Sequence, residues 1–407
     1  MNSSRFHSPT KTQWGRWLTN ALAYIILSAF ALVMLFPFLY MFATSLKTPD
    51  DTYNYPPRFF PREQSTVQVE GYPDPLPMYY VEKGGQRLAF ALAQQTVPAG
   101  VYARPDALDQ TVAVPLDLAV PNGQTAVVDG QEQPLLDVPV DGQIVAMVQV
   151  GKTALGRFIN PDNPSEEVFQ NVRRSEPVNR ITWNPENYVR VMTLENMGRS
   201  LTNTTLVTLF VVIGQVTTSV LGGYAFARLR FPGRDKLFVV YLGTMMIPFV
   251  MLIIPLYQLM VLFGWVDSLA ALIFPWVFTA YGTFLMRQFF ITVPKEIEEA
   301  ALIDGASRLQ ILWRIFLPAA APALATLATF TFLYAWNSFF WPLVIINTGN
   351  YDNHVLTLTL NMLRGRASDQ GNIILAGAAI SILPPMILFI LGQRFFIESA
   401  MSSGVKG

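Results

Sequence analysis

Six stretches of the chain, at about 18–46, 201–227, 237–262, 269–286, 319–346 and 373–393, are long, apolar and free of Asp, Glu, Lys and Arg except at their ragged ends. A bilayer core of roughly 30 Å is crossed by about 20 helical residues, so these runs specify an all-α polytopic membrane protein with six transmembrane helices. Only 14% of the residues are charged, against about 25% in an ordinary soluble domain. The first run, LTNALAYIILSAFALVMLFPFLYMF, exceeds the apolar core of about 7–15 residues found in a signal peptide and lacks a small-residue cleavage site. It reads as an uncleaved anchor.

Several chemistries are excluded at once. The chain has no cysteine, so disulfides, thiolate catalysis and Cys-based metal sites drop out. His7 and His354 are too few and too far apart for a metal centre. The formal net charge is zero, which argues against nucleic acid as a partner.

Orientation follows from the Lys/Arg bias. If residues 1–17 are cytoplasmic, then 228–236, 287–318 and the tail 394–407 are too, and together these segments hold 13 basic residues. The short loops on the other side, 263–268 and 347–372, hold only Arg364 and Arg366. Both termini are therefore expected in the cytoplasm.

Residues 47–200 then fall outside the cell membrane. They contain 17 of the 29 prolines. Short runs such as TVAVPLDLAV (111–120), TAVVDG (125–130) and QIVAMVQV (143–150) alternate with Pro, Gly and Asp, the pattern of short strands joined by turns. A β-rich extracytoplasmic insertion is expected over about 64–179, between the first and second spans, serving as a spacer or as a docking surface. Within it, AMVQVGKT (146–153) has Gly-Lys-Thr at P-loop spacing with Ala146 in place of the first glycine. A P-loop requires a following helix, and ALGRFINPDNP will not make one.

Ion-coupled carriers place ionisable side chains inside the bilayer. These runs have none, so energy is expected from outside the membrane and the cargo is expected to be neutral or solvated by uncharged groups; a sodium site built from backbone carbonyls is the alternative that escapes this argument. In the fifth run, TFLYAWNSFFWPLVIIN (331–347), Asn337 is expected to be buried toward the bundle or the pathway, among Tyr334, Trp336, Phe339, Phe340 and Trp341. Aromatic faces and an amide suit a sugar; an interfacial aromatic belt with ordinary helix packing is the competing reading. Tyr334, Trp336, Asn337 and Phe340 are the pathway candidates. Thr217, Thr218, Gln215 and Gln258 are weaker ones. Pro248 and Pro255 are expected to kink the third run.

Residues 295–308, KEIEEAALIDGASR, carry six charges. At roughly 2.5–3.5 kcal/mol each at a helix centre, burying all six in a bilayer would cost on the order of 15–20 kcal/mol. The stretch stays in water. Pro294 and three glutamates suit a helix start, and Asp304-Gly305 suits a helix end. Leu309, Leu312 and Phe316 mark the apolar face of a second helix leading to Pro318. The expected shape is a short helix, a glycine corner and a helix feeding a span.

This stretch resembles the Glu-Ala-Ala signature loop of ABC-importer permeases, with Glu299, Ala300, Ala301, Gly305, Ile315, Leu317 and Pro318 at the matching positions. GGYAFARLRFPGRD (222–235), IPLYQLMVLFGWVDS (254–268), GTFLMRQFF (282–290), WNSFFWPL (336–343) and SGVKG (403–407) are similar to the sugar branch, near the smaller maltose-permease subunit. The resemblance implies a type I importer permease fold and a transport subunit that is not itself an enzyme. It implies a second, different permease subunit, two cytoplasmic ABC ATPases that bind ATP and magnesium, an extracytoplasmic solute-binding protein and a sugar substrate. In that reading the permease core is 201–393 and the coupling loop is 290–318. Glu298, Glu299, Ala300, Ala301, Asp304 and Gly305 contact or shape the ATPase joint, residues 403–407 reach the ATPase dimer, and the loop 347–372 probes the binding protein. An importer for another neutral solute, a secondary carrier and a membrane scaffold are the alternatives.

Overall fold

The computed structural model describes residues 11–128, 131–140 and 142–404. The stretch 1–10 and residues 405–407 of the tail, to which the reading above assigned roles, lie outside the described residues. The chain divides into two compact units, 60–183 and the remainder.

The larger unit is helical. It comprises α1 (Lys11–Ser45), the single turn α2 (Pro49–Thr52), α3 (Glu186–Thr193), α4 (Met197–Arg228), α5 (Arg234–Gly243), α6 (Phe249–Phe263), α7 (Leu269–Ile273) and α8 (Ala280–Thr292). These are followed by α9 (Lys295–Ile303), α10 (Arg308–Ile311), α11 (Leu317–Ala319), α12 (Ala321–Trp336), α13 (Phe340–Ile345), α14 (Leu356–Arg366) and α15 (Gly371–Gly404). Among the described residues, four helices are long and apolar enough to cross a membrane, or six if each of two bent pairs counts as one span.

Those two bends correct the expectation of simple spans at 237–262 and 319–346. The first run turns by 98° between Met246 and Phe249. Pro248 sits at the break in an extended conformation; it lacks an N–H and pushes the residue before it out of the helical region. Pro255, by contrast, lies inside α6. The second bend, of 81°, lies at Ala320, where the segment Arg308–Ala319 meets α12 at the start of the second run, with Pro318 and Pro322 on either side. The run breaks again after Trp336, where Asn337 ends α12 before α13 begins. The leading segment, from Arg308 to Ala319, contains a π-helical turn over Leu312–Phe316.

Three apolar clusters hold the bundle, and two of them border the site. One gathers Val207 and Val211 of α4, Met260 of α6, Ala271 of α7 and Trp341 of α13. The other gathers Val220 and Tyr224 of α4, Met286 and Phe290 of α8, Ile311 of α10 and Phe316. Helices α4 and α8 approach closely at Gly223, where a methyl group would sit 2.6 Å from Met286 Cβ and 2.9 Å from the Arg287 nitrogen. Small residues permit such contacts between membrane helices. From Trp17 to Leu39 the large apolar side chains of α1 are exposed. Its end is anchored by side-chain amides: Asn187 donates to the Ser45 and Lys47 carbonyls at 2.8 and 2.9 Å, and Asn372 donates to Lys47 at 3.1 Å. These bonds satisfy carbonyls that a helix end leaves open.

The smaller unit is β-rich. Its strands are β1 (Arg62–Gln64), β2 (Thr66–Val67), β3 (Leu76–Lys83), β4 (Gln86–Arg104), β5 (Ala107–Pro115), β6 (Val120–Val128), β7 (Gln131–Val140), β8 (Gln143–Ile159), β9 (Glu167–Gln170), β10 (Glu176–Pro177) and β11 (Asn179–Ile181). The main sheet runs β10-β3-β4-β8-β7-β6, with β2 on β3, β5 on β4 and β9 on β8; β1 and β11 form a separate pair. The long strands β4 and β8 serve three small cores. Val81, Phe90 and Phe158 fill one, Tyr102, Val138 and Met147 fill another, and Val69, Ala91 and Ile159 fill the third. The run 111–120 is not one strand: β5 stops at Pro115, a 3₁₀ turn covers Leu116–Leu118, and β6 starts at Val120. Gly151, Lys152 and Thr153 lie mid-strand in β8, paired with Val101, Gly100 and Ala99, which is not the geometry of a phosphate-binding loop.

Candidate functional site

The charged stretch forms an elbow. Helix α9 starts after Pro294 and ends at Asp304. Gly305 follows with φ of +80°, and its N–H bonds the Leu302 carbonyl while that of Ala306 bonds Ala301. This is a Schellman closure, which favours glycine because φ is positive. Ser307 then starts α10 with a capping box: its hydroxyl accepts from Gln310 N, and the Gln310 side chain accepts from Ser307 N. The Ser-x-x-Gln spacing carried that signal in the sequence, although it was not part of the expectation.

The six elbow residues separate into different environments. Glu299 and Ala300 are exposed, and Ala301 is half-buried against the cluster of Tyr224, Phe290 and Phe316. Asp304 caps the helix. Glu298 does not face solvent: its side chain is 9% exposed and meets two guanidinium groups, Arg228 at 3.5 Å and Arg308. Ile303 is 87% exposed, and Ile297 and Leu302 accompany it at the surface. Leu309 is also exposed, so the buried face of the second arm is Ile311, Leu312 and Phe316 rather than the expected Leu309, Leu312 and Phe316. The π-helical turn shifts the register of that face.

Arg228, the last residue of α4, organises the ground beneath the elbow. Its side chain is 4% exposed. Nε and Nη2 donate to the Phe290 carbonyl at 3.1 and 2.6 Å, and Nη2 also donates to the Val293 carbonyl. The guanidinium lies over the Phe316 ring, 4.9 Å from its centre. One side chain thus joins the ends of α4 and α8, the start of α9 and the π-helical turn. A buried cation is tolerable here because a carboxylate, helix-end carbonyls and a ring face surround it. Deleting one member of such a buried pair costs about 3–5 kcal/mol. Nothing local in the sequence marks Arg228 as a hub, because the carbonyls and the carboxylate it meets lie 62–70 residues away.

A second feature is a groove of about 620 Å³ lined by Gln215, Phe249, Trp276, Thr279, Thr331 and Tyr334, among others. It opens where the Thr244–Met246 turn and the Thr279 start of α8 interrupt the helices. Thr331 donates to Gln215 Oε1 at 2.8 Å. Trp276 meets Tyr334 edge-on at 5.6 Å. No charged side chain is among the lining residues.

Of the four pathway candidates, the groove takes in Tyr334 alone. The buried Trp336 indole donates to the Ser381 carbonyl at 3.0 Å and stacks on Phe332. Asn337 is exposed, contrary to the expectation of burial, and its amide donates to the Leu333 carbonyl of its own helix at 2.8 Å. The break after Trp336 turns it out of the helix. Phe340 is exposed at the start of α13. Gln215 is in the groove, whereas Thr218 bonds the Val277 carbonyl at 2.7 Å and Gln258 is exposed.

Residues 219–400, which include Arg228 and the whole elbow, match the model of the binding-protein-dependent transport system inner membrane component. The sn-glycerol-3-phosphate transport system permease protein of Pectobacterium atrosepticum is 34% identical over 206 residues, covering 51% of this chain and 73% of that protein. The chain belongs to this family. The arabinooligosaccharides transport system permease protein of Halalkalibacterium halodurans is 37% identical over 205 residues, covering 50% of this permease and 73% of the relative. In fold, the permease resembles a chain of a bacterial ABC transporter involved in import of the acidic polysaccharide alginate, with a TM-score of 0.55 at 19% identity, covering 96% of this chain and 100% of that one. The fold is that of a type I ABC-importer permease with an added β-rich region. The elbow lies within the residues that match the family model, as does every lining residue of the groove except Gln215.

Proposed function

We propose that the chain is a transmembrane subunit of an ATP-driven carbohydrate importer, working by alternating access. In this reading the bent pairs count as spans, giving six, and both termini face the cytoplasm. The unit 60–183 lies outside. A second permease subunit completes the pathway, two ABC ATPases bind ATP and magnesium, and an extracytoplasmic binding protein delivers the solute.

The elbow carries the reading. Helix α9 turns Glu299, Ala300 and the apolar side chain of Ile303 away from the bundle, while Glu298 keys it to the ends of α4 and α8 through Arg228. A water-exposed helix with apolar and acidic groups on one side and a buried anchor on the other suits a partner that grips and pushes. Ile303 is its apolar contact and Glu299 the partner of a basic or hydrogen-bonding group.

The groove supports an uncharged carbohydrate. Aromatic faces pack against sugar C–H groups, and Gln215, Thr331, Thr279 and Tyr334 supply hydrogen-bonding groups. A phosphorylated solute would call for Arg or Lys, and the lining has neither.

Co-purification tests the elbow. Ile303→Asp and Glu299→Lys are expected to reduce the ATPase recovered with the assembled membrane subunits at least tenfold, with membrane insertion retained. Full recovery in both variants would contradict the reading.

A further inference from the structure

Helix α9 is tied covalently to the bundle at only two places: Val293-Pro294 before it and the 304–307 corner after it. The corner turns through a positive-φ glycine. A push on α9 transmitted through backbone alone could be absorbed by bending at either joint. Ala301 adds apolar contact to the cluster of Tyr224, Phe290 and Phe316, which resists separation but not sliding. The directional link is polar. Glu298 points inward from the first turn of α9, and its Oε2 lies 3.5 Å from Arg228 Nη1. The other donors of Arg228 are committed to Phe290 and Val293 carbonyls at the end of α8. Arg308 holds the second Glu298 oxygen from across the corner, so the two arms of the elbow also close on one carboxylate.

We propose that Arg228 is the positioning residue of coupling: it locks α9 to the cytoplasmic ends of α4 and α8 so that displacement of the elbow moves those helices as one body. This rests on the reading of the elbow as the ATPase contact. Arg228 touches neither solute nor ATPase; it acts through Glu298. Arg308 has a lesser share, because its side chain is 50% exposed.

The test uses the full importer in proteoliposomes, with solute transported per ATP hydrolysed as the readout and thermal unfolding of the complex as a structural control. Arg228→Met combined with Glu298→Leu removes the link without leaving a buried lone charge. This variant is expected to retain the ATPase and to continue hydrolysing ATP, with the ratio falling at least tenfold. Arg228→Lys, which keeps the charge but not the fork of donors, is expected to recover part of the ratio. A wild-type ratio in the double variant overturns the proposal. If the double variant does not assemble, Arg228→Gln and Arg308→Met decide: the first is expected to lower the ratio several-fold and the second less than twofold, and equal ratios overturn the proposal. Failure of the underlying reading has a different signature, since Glu299→Lys would then leave ATPase recovery intact.

Discussion

Arg228 and Arg287 cross-stitch two helices: Arg228 of α4 donates to the Phe290 carbonyl of α8, and Arg287 of α8 donates to the Phe226 carbonyl of α4 at 3.3 Å. Each cation thus sits at the negative end of the other's helix. Arg287 also lies over the Phe238 ring, 4.3 Å from its centre, and 4.0 Å from Asp235. Beneath these two side chains the helices touch without an intervening side chain at Gly223. The two spans therefore end as a single rigid foot, and the elbow stands on it.

Removing half of the stitch should weaken the foot without breaking it. Arg287 is 18% exposed, and its bonds are to a carbonyl and a distant carboxylate. Arg287→Ala is expected to destabilise the helical unit by about 1–3 kcal/mol. Thermal unfolding of the purified complex in detergent checks this, and an unchanged midpoint would show that the stitch does not contribute.

The close approach below it makes a sharper prediction. A Cβ at position 223 would lie inside contact distance of both a side chain and the Arg287 backbone nitrogen, so the two helices must part. Overpacking of this kind costs roughly 1–3 kcal/mol. Gly223→Ala is expected to lower the unfolding temperature, and Gly223→Leu is expected to prevent recovery of folded protein.

Much of this architecture was legible in the sequence because a missing charge is a local property. Each apolar run marks itself, and the water-exposed elbow marks itself by the opposite rule. The bends did not mark themselves. Pro248 breaks a helix and Pro255 does not, and the difference depends on whether neighbouring turns absorb the lost hydrogen bond. Asn337 was misjudged for the same reason: a residue past the middle of an unbroken span is buried, whereas a residue at a helix end turns outward. Arg228 was invisible as a hub because nothing local tells an arginine which carbonyls and carboxylate it will meet some 60–70 residues later. Ser307 and Gln310, in contrast, could have been found by spacing alone.

The corner of the elbow tests a backbone requirement. A β-branched residue at φ of +80° is strained by roughly 1–3 kcal/mol. Gly305→Val is expected to leave the protein inserted in the membrane while transport per ATP falls several-fold. Simultaneous measurement of uptake and hydrolysis in proteoliposomes checks this; an unchanged ratio would remove the corner from the coupling path.

The groove and the original aromatic candidates separate by kinetics. Gln215→Leu and Trp276→Ala are each expected to raise the half-saturating solute concentration about tenfold, equivalent to about 1.4 kcal/mol. Asn337→Ala and Phe340→Ala are expected to change it less than twofold, because neither side chain reaches the groove. Uptake measured over a solute concentration series in the assembled importer distinguishes the two sets.

The β-rich unit carries its own acid sensitivity. Hydrogen bonds from Lys83 and Asn160 hold the Glu166 carboxyl below its ordinary value of 4.5. A lowered folded-state pKa adds stability above the unfolded value, and that contribution is lost as pH falls through the folded value. Between neutral pH and 5 it is fully present. Below 4.5 protection of amides around Glu166 is expected to decline, and Lys83→Met is expected to flatten that decline. Hydrogen exchange on the full chain between pH 3.5 and 5.5 checks both.

In the proposed importer a separate motor drives the bundle through the elbow. Uptake of labelled carbohydrate into proteoliposomes, with the energy source varied, tests this. Uptake is expected only when the second permease subunit, the ATPases, the binding protein and ATP with magnesium are all present, with no effect of ion gradients. Uptake by this chain alone, driven by a proton or sodium gradient without ATP, would contradict it.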